Sequence, residues 1–272
     1  MKILFISLGC DKNLADSEEM LGLLTGSGHE IVDSEEDADA IVINTCCFIH
    51  DAKEESVNTI LEMAEYKKTG KCKALIVTGC MAQRYKEEIT QEIPEVDAVL
   101  GTTSYGDIVK ALNEAQAGHV FQEFRDINEL PEDSGRRVLT TGGHFGYLKI
   151  AEGCNHHCTF CIIPSLRGPL VSRPLGSVVR EASNLVKSGV KELLVIAQDT
   201  AAYGQDVKYK LDFIGGRAVK TNIKVLFEEL GKLGVWVRPH YMYPYASVDE
   251  IVPLMAEGKI LPYLDVPFQH AH

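Results

Sequence analysis

No stretch of this chain stays apolar for the roughly 20 residues that cross a bilayer, so a membrane-spanning helix is excluded. The opening residues, Met1-Lys2-Ile3-Leu4-Phe5, run straight into a strand pattern and lack the charged, apolar and small-residue order of a secretory signal. A reducing, cytoplasmic location is therefore expected. Basic residues are also in short supply: 27 Lys and Arg face 39 Asp and Glu, for a net charge of −12. A general nucleic-acid binder needs a basic face, so nucleic acid is not the expected substrate, and a basic protein partner suits the balance better. Internal repeats and low-complexity segments are absent too. The remaining composition, 45% apolar and 24% charged over 272 residues, is that of an ordinary globular chain long enough for two domains.

What the chain does have is cysteine, 8 residues in all. In a reducing compartment these point to metal or redox chemistry rather than to a disulfide framework. Three of them form a tight C-x3-C-x2-C run at Cys154, Cys158 and Cys161. At this cysteine content chance places such a run in roughly 0.007 chains. Three thiolates can hold three irons of a cubic four-iron cluster and leave the fourth iron open to another ligand. A structural zinc site would want four closed ligands, and the run offers three sulfurs. His156 and His157, inside the loop, are expected to be solvated.

Cys10, Cys46 and Cys80 are scattered, yet each follows a short apolar run: 2–8, 39–45 and 73–78. With further strands near 29–32 and 98–101, and helices over about 13–25, 52–67 and 107–115, the first 124 residues read as an open parallel α/β sheet. Ligands of such sheets sit beyond the carboxyl ends of the strands, which is where all three cysteines fall. Gly9 and Gly79 allow a tight backbone path beside a bulky group. Three independent structural cysteines remain the alternative. Cys72 precedes its strand and belongs at the opposite edge, and Cys47 is expected to point away from Cys46.

Residues 125–145 lose the pattern and read as a linker, with an edge strand near 137–139. From 146 to 272 four β/α units follow, with strands near 146–151, 192–196, 235–238 and 263–266, which suggests a partial (β/α) barrel. Barrel active sites lie at the carboxyl ends of the strands. The cysteine loop, Gln198 with Asp199, His240, and Gln269 with His270 occupy those positions in turn. Each of these polar residues could equally be satisfying backbone groups at a strand end. Arg167 and Arg173 could grip a carboxylate or phosphate in two-pronged fashion, or stand in solvent.

The C-x3-C-x2-C run after the first strand of a partial barrel resembles the radical S-adenosylmethionine enzymes. Together with Gly9-Cys10, Asn44-Thr45-Cys46 and Thr78-Gly79-Cys80 it resembles the radical-SAM methylthiotransferases. The segments 7–13, 163–168, 197–204 and 266–271 are similar to the branch of that family that modifies a ribosomal protein. The resemblance implies two [4Fe-4S] clusters, one on Cys154, Cys158 and Cys161 and one on Cys10, Cys46 and Cys80. It implies S-adenosylmethionine at the open iron of the first, near Phe160, Gln198, Asp199 and Gln269, with Phe160 packed over the cluster. Reductive cleavage would give a 5′-deoxyadenosyl radical that takes hydrogen from the β-carbon of an aspartate in a small-subunit ribosomal protein. A methylated sulfur, held at the second cluster, would then be transferred. A one-electron donor and a sulfur donor are the implied partners. Two alternatives stay open: the transfer-RNA-modifying branch of the family, and a non-catalytic iron–sulfur or zinc module. Members of the family continue through further barrel strands and a TRAM domain, so a longer protein is implied, and a partial barrel would expose an unpaired edge.

Overall fold

The structure is a computed structural model that describes residues 1–132 and 134–269, and the chain divides into two compact units. Residues Met1–Val138 together with Ser165–Arg167 form the first, and the rest of the chain from Leu139 forms the second.

The first unit alternates strands and helices: β1 (Lys2–Ser7), α1 (Asp11–Gly26), β2 (Glu30–Val32), β3 (Ala40–Thr45), α2 (His50–Thr69), β4 (Ala74–Gly79), α3 (Cys80–Arg84), α4 (Lys86–Glu92), β5 (Ala98–Leu100), α5 (Ile108–Gln116) and β6 (Phe121–Glu123). Its strands are all parallel, in the order β2-β1-β3-β4-β5-β6. The runs Ala40-Ile41-Val42-Ile43 and Ala74-Leu75-Ile76-Val77 are wholly buried, because β3 and β4 are covered on both faces. Ile3, Val42, Ile76 and Leu100 share one core with Met20 and Leu24 of α1 and Ile108 and Leu112 of α5.

The second unit holds β7 (Phe145–Lys149), β8 (Ala151–Glu152), α6 (Ile163–Arg167, whose last three residues pack in the first unit), β9 (Val171–Ser172), α7 (Leu175–Lys187), β10 (Glu192–Ile196), β11 (Leu211–Ile214), β12 (Arg217–Lys220), α8 (Ile223–Leu230), β13 (Trp236–Pro239), α9 (Ala246–Asp249) and α10 (Val252–Ala256). Its main sheet is parallel, in the order β13-β10-β7, and β11 and β12 pair as an antiparallel hairpin. Along α7, Leu175, Val178, Ala182 and Leu185 fall on one helical face and are buried against the sheet. Asn222 caps α8 by accepting a hydrogen bond from the Val225 amide at 2.8 Å. No helix among the described residues is long and apolar enough to cross a membrane.

Two expected strands are not formed. The segment 137–139 forms no strand; Val138 gives a single amide bond, to the Glu18 carbonyl, while Arg137 is drawn to the buried Glu18 carboxylate at 2.6 Å. Residues 263–266 form no fourth barrel strand either. Leu261 and Met242 make isolated backbone bonds to Val237 and Asp265, and Pro262 and Pro267 supply no amide hydrogens for a ladder. After β13 the helical segment is two short helices, α9 and α10, broken before Pro253. The strand β6 and the hairpin β11–β12 went unread because both are short and partly exposed, without a continuous apolar run.

Candidate functional site

In the first sheet the strand order reverses between β1 and β3. In doubly wound sheets the crevice beyond the carboxyl ends of those two strands is where ligands bind. Cys10 caps the start of α1 just past β1, Cys46 directly follows β3, and Cys80 opens α3 directly after β4. The three thiols are close enough to act on one another electrostatically. Gly9 has φ +90°, and a β-carbon there would stand 2.6 Å from the Cys46 β-carbon and 3.0 Å from its sulfur. Only glycine lets the exit of β1 pass so close.

Asn13 ties the three strand exits together. Its side-chain nitrogen donates to the Leu8 carbonyl at 3.0 Å and the Thr45 carbonyl at 2.9 Å, and its oxygen lies 3.8 Å from the Cys80 sulfur. Asn44 repeats the device one layer below, donating to the Asn13 carbonyl and to Ser17 Oγ, both at 2.9 Å. Ser56 of α2 fixes Cys46 by accepting from its amide at 3.0 Å and donating to its carbonyl at 2.7 Å. Burial pushes the Cys46 and Cys80 thiols up, and the Arg167 guanidinium opposes that rise in both. Arg167 is buried, with bonds to Asp16 Oδ2 at 2.8 Å and to Asn13 Oδ1. Arg173, in the second unit, donates to the Lys149 carbonyl and to Glu181. Neither arginine is solvated, which corrects that half of the expectation.

The other two cysteines follow a different logic. Cys72 lies at the amino end of β4, within 3.4 Å of the Ala74 carbonyl, and burial raises its pKa. Cys47 donates to the Cys80 carbonyl at 3.3 Å, and burial, with the nearby Cys80 and Cys46 thiols, pushes it up to about 11. At pH 8 the thiolate fraction of such a group is on the order of 10⁻³. In the metal-free chain, iodoacetamide at pH 8 should therefore label exposed Cys10 first and reach Cys47 only after denaturation. Peptide mapping by mass spectrometry reads the order, and early labelling of Cys47 would contradict the burial described.

In the second unit the tight cysteine loop leaves β8 through Gly153, which has φ +66°. The Cys154 amide bonds the Gly168 carbonyl at 3.1 Å, and the Cys161 amide bonds the Cys158 carbonyl at 3.0 Å. Burial raises the Cys154 thiol, and Cys158 and Cys161 are near enough to add to that rise. Among the described residues no three His, Cys, Asp or Glu side chains close around a single metal ion. A four-iron cluster differs in placing each thiolate on a separate iron, so its ligands stand farther apart.

His156 is not the solvated loop histidine expected. Its Nε2 lies 2.7 Å from the Tyr245 hydroxyl and 3.2 Å from Asp199 Oδ2, and the Tyr245 hydroxyl donates to that same carboxylate oxygen at 2.7 Å. The ring is stacked on Tyr245 and lies 4.3 Å, centroid to centroid, from Tyr243. Burial raises the Asp199 carboxyl, and Tyr245 and His156 partly offset the rise. The tyrosines after β13 carried no motif, and only their spacing past a barrel strand could have flagged them.

Gln198 and Asp199 follow β10, and His240 follows β13, as expected. Among the described residues, Gln198 Oε1, Asp199 Oδ1, Thr200 Oγ1 and His240 Nε2 are buried without a hydrogen-bond partner, although His240 Nδ1 lies 3.1 Å from Asp265 Oδ2. Native structures rarely leave such atoms unpaired, so this edge of the sheet suits a polar ligand. Tyr241 adds a left-handed backbone, φ +56°, at the same edge. Gln269 is exposed, 4.0 Å from the Cys158 sulfur. Phe160 lies inside the cysteine loop with 74% of its surface exposed. His270 lies outside the described residues.

Residues 2–101 match the family described as Uncharacterized protein family UPF0004, and residues 148–272 match the Radical SAM superfamily. The chain is 54% identical, over its whole length and 60% of the relative's, to the ribosomal protein uS12 methylthiotransferase RimO of Lachnoclostridium phytofermentans. It is 53% identical to the same-named protein of Vibrio cholerae, over 99% of this chain and 55% of that one. The chain thus spans a little over half the length of these relatives. Among solved structures, the radical S-adenosylmethionine methyltransferase TsrM from Kitasatospora setae, with cobalamin and a [4Fe-4S] cluster bound, superposes with a TM-score of 0.63 at 12% identity, over 100% of this chain and 61% of that one. That likeness concerns the fold.

Proposed function

We propose that this chain, which belongs to the radical SAM methylthiotransferase family, takes part in adding a methylthio group to the β-carbon of an aspartate in a small-subunit ribosomal protein, uS12 by the names of its relatives. The observation that carries this reading is the presence of two separate three-cysteine sets, each at the carboxyl edge of its own parallel sheet. One set would suffice for generating a radical; a second set gives the sulfur a place to be held.

The carbon to be modified has no acidic proton, so acid–base catalysis cannot open it, and a cofactor must supply radical chemistry. When bound, a reduced four-iron cluster with S-adenosylmethionine provides that radical by cleaving the sulfonium bond. Cys154, Cys158 and Cys161 would hold that cluster, and His156, fastened to Asp199 and Tyr245, holds the loop that carries them. The unpaired atoms of Gln198, Asp199 and Thr200 would orient the polar parts of S-adenosylmethionine. Cys10, Cys46 and Cys80 would hold the second cluster at the amino end of α1, where helix geometry favours an anionic group. Thiolates, not thiols, bind iron, so loading each set releases protons from groups that burial keeps neutral. A one-electron donor and a sulfur donor complete the scheme.

Iron and acid-labile sulfide after anaerobic reconstitution test it. The intact chain should hold about eight irons, and the Cys10→Ala/Cys46→Ala/Cys80→Ala variant about four. With dithionite, both should cleave S-adenosylmethionine to 5′-deoxyadenosine. About four irons in both proteins would make the scattered cysteines structural and sink the methylthiotransferase reading. Zinc in place of iron, with no cleavage, would point to a binding module.

A further inference from the structure

Given the proposed cluster on Cys10, Cys46 and Cys80, its charge surroundings are unusual for a site at a strand edge. Three thiolates make such a site anionic, and reduction adds one more negative charge. The potential of a cluster follows from nearby charge, hydrogen bonds to its sulfurs and exposure to solvent. Arg167 stands at this place with 3% of its side chain exposed. It is held from two sides: one guanidinium nitrogen donates to Asp16 Oδ2 at 2.8 Å, the other to Asn13 Oδ1, the amide oxygen that also faces the Cys80 sulfur. Asp16 is itself buried, with 4% of its side chain exposed, so both charges act with little solvent screening. Lys12, the other buried cation near Cys10, is paired with Asp11 at 3.1 Å.

We propose that Arg167 is a positioning residue that sets the reduction potential of the N-terminal cluster: fixed by Asp16 and Asn13, its charge favours the reduced state, and Asp16 tempers it. The proposal rests on the cluster assignment made above and goes further, because it names the group that decides how easily that cluster accepts an electron. Arg167 follows the Cys154–Cys161 run in sequence, so this charge is supplied by the chain just after the radical-generating motif.

The test uses the full chain with Cys154→Ala, Cys158→Ala and Cys161→Ala, so that only the N-terminal set can load. Iron content is measured first, then the midpoint by anaerobic titration followed by electron paramagnetic resonance. Arg167→Gln should lower the reduction equilibrium constant at least tenfold, about 59 mV for one electron. Asp16→Asn should raise it several-fold, and Arg167→Lys should stay within about threefold of the parent. Misfolding could not move the two substitutions in opposite directions. If Arg167→Gln takes up no iron, the Asp16→Asn and Arg167→Lys arms decide. Full iron content with midpoints unchanged overturns the role of Arg167 and leaves the cluster intact. A parent that binds no iron overturns the cluster assignment, and the proposal with it.

Discussion

Alanine at Gly153 should empty the second unit of iron and strip it of about 3 kcal/mol. A β-carbon at this position would stand 2.0 Å from the Pro169 carbonyl oxygen and 2.4 Å from that of Gly168. Both are backbone atoms, so no side chain can swing away. The left-handed φ of +66° adds roughly 1–2 kcal/mol for any residue with a β-carbon. Pushing the two strands of the loop apart adds about 1–3 kcal/mol more and breaks the Cys154 amide bond to Gly168. For a unit of this size the loss corresponds to a fall of roughly 10 °C in Tm. Iron per chain should drop from about eight to about four, with the N-terminal set still loaded. Gly143→Ala is the companion measurement: its φ is +80°, but nothing lies within 4 Å of the added carbon, so about 1 kcal/mol and full iron are expected. Equal losses from the two substitutions would refute the close-approach argument.

Asn13→Ala should damage the first unit severely while leaving every cysteine in place. It removes the donor to two carbonyls on neighbouring strand exits, Leu8 and Thr45, and the acceptor of the buried Arg167. Stranding buried polar groups costs about 1–3 kcal/mol each, so a loss of roughly 4 kcal/mol is expected. Urea unfolding of the metal-free chain, followed by circular dichroism, measures it. A change under about 1 kcal/mol would mean that the strand exits are held without this side chain. Iron uptake at the N-terminal set should fall in parallel, because the three thiols would no longer share one preformed edge.

Local patterns in the chain announce its strands and its cysteine loop, whereas contacts between distant residues leave no such mark. Strands that end in cysteine were legible, since a buried parallel strand is a continuous apolar run and its carboxyl end is where chemistry belongs. The C-x3-C-x2-C spacing was legible for the same local reason. Partners distant in sequence were not. Nothing near Arg167 announces Asp16, and nothing near His156 announces Tyr245. These contacts exist because the chain folds back on itself, and polar residues give no period that betrays it. The expected strand at 263–266 failed for a different reason: its apolar residues suit a strand, but prolines on either side withhold the amide hydrogens a ladder requires. Both arginines meet a carboxylate, Arg167 that of Asp16 and Arg173 that of Glu181, but the partner lies within the chain, where the sequence alone gives no sign of it.

The wide spacing of Cys10, Cys46 and Cys80 bears on how the protein would age in a cell. Each pair encloses roughly 35 residues, so one cluster on these three would cross-link two long loops, and such links restrain the unfolded chain far more than links across short ones. The Cys154–Cys161 set encloses only a few residues and restrains little. On the proposed assignment, iron shortage or oxidative loss would loosen the first unit and leave the second nearly unchanged. A chain starved of iron would then present its N-terminal half to proteases first, tying its lifetime to the supply of the metal it works with.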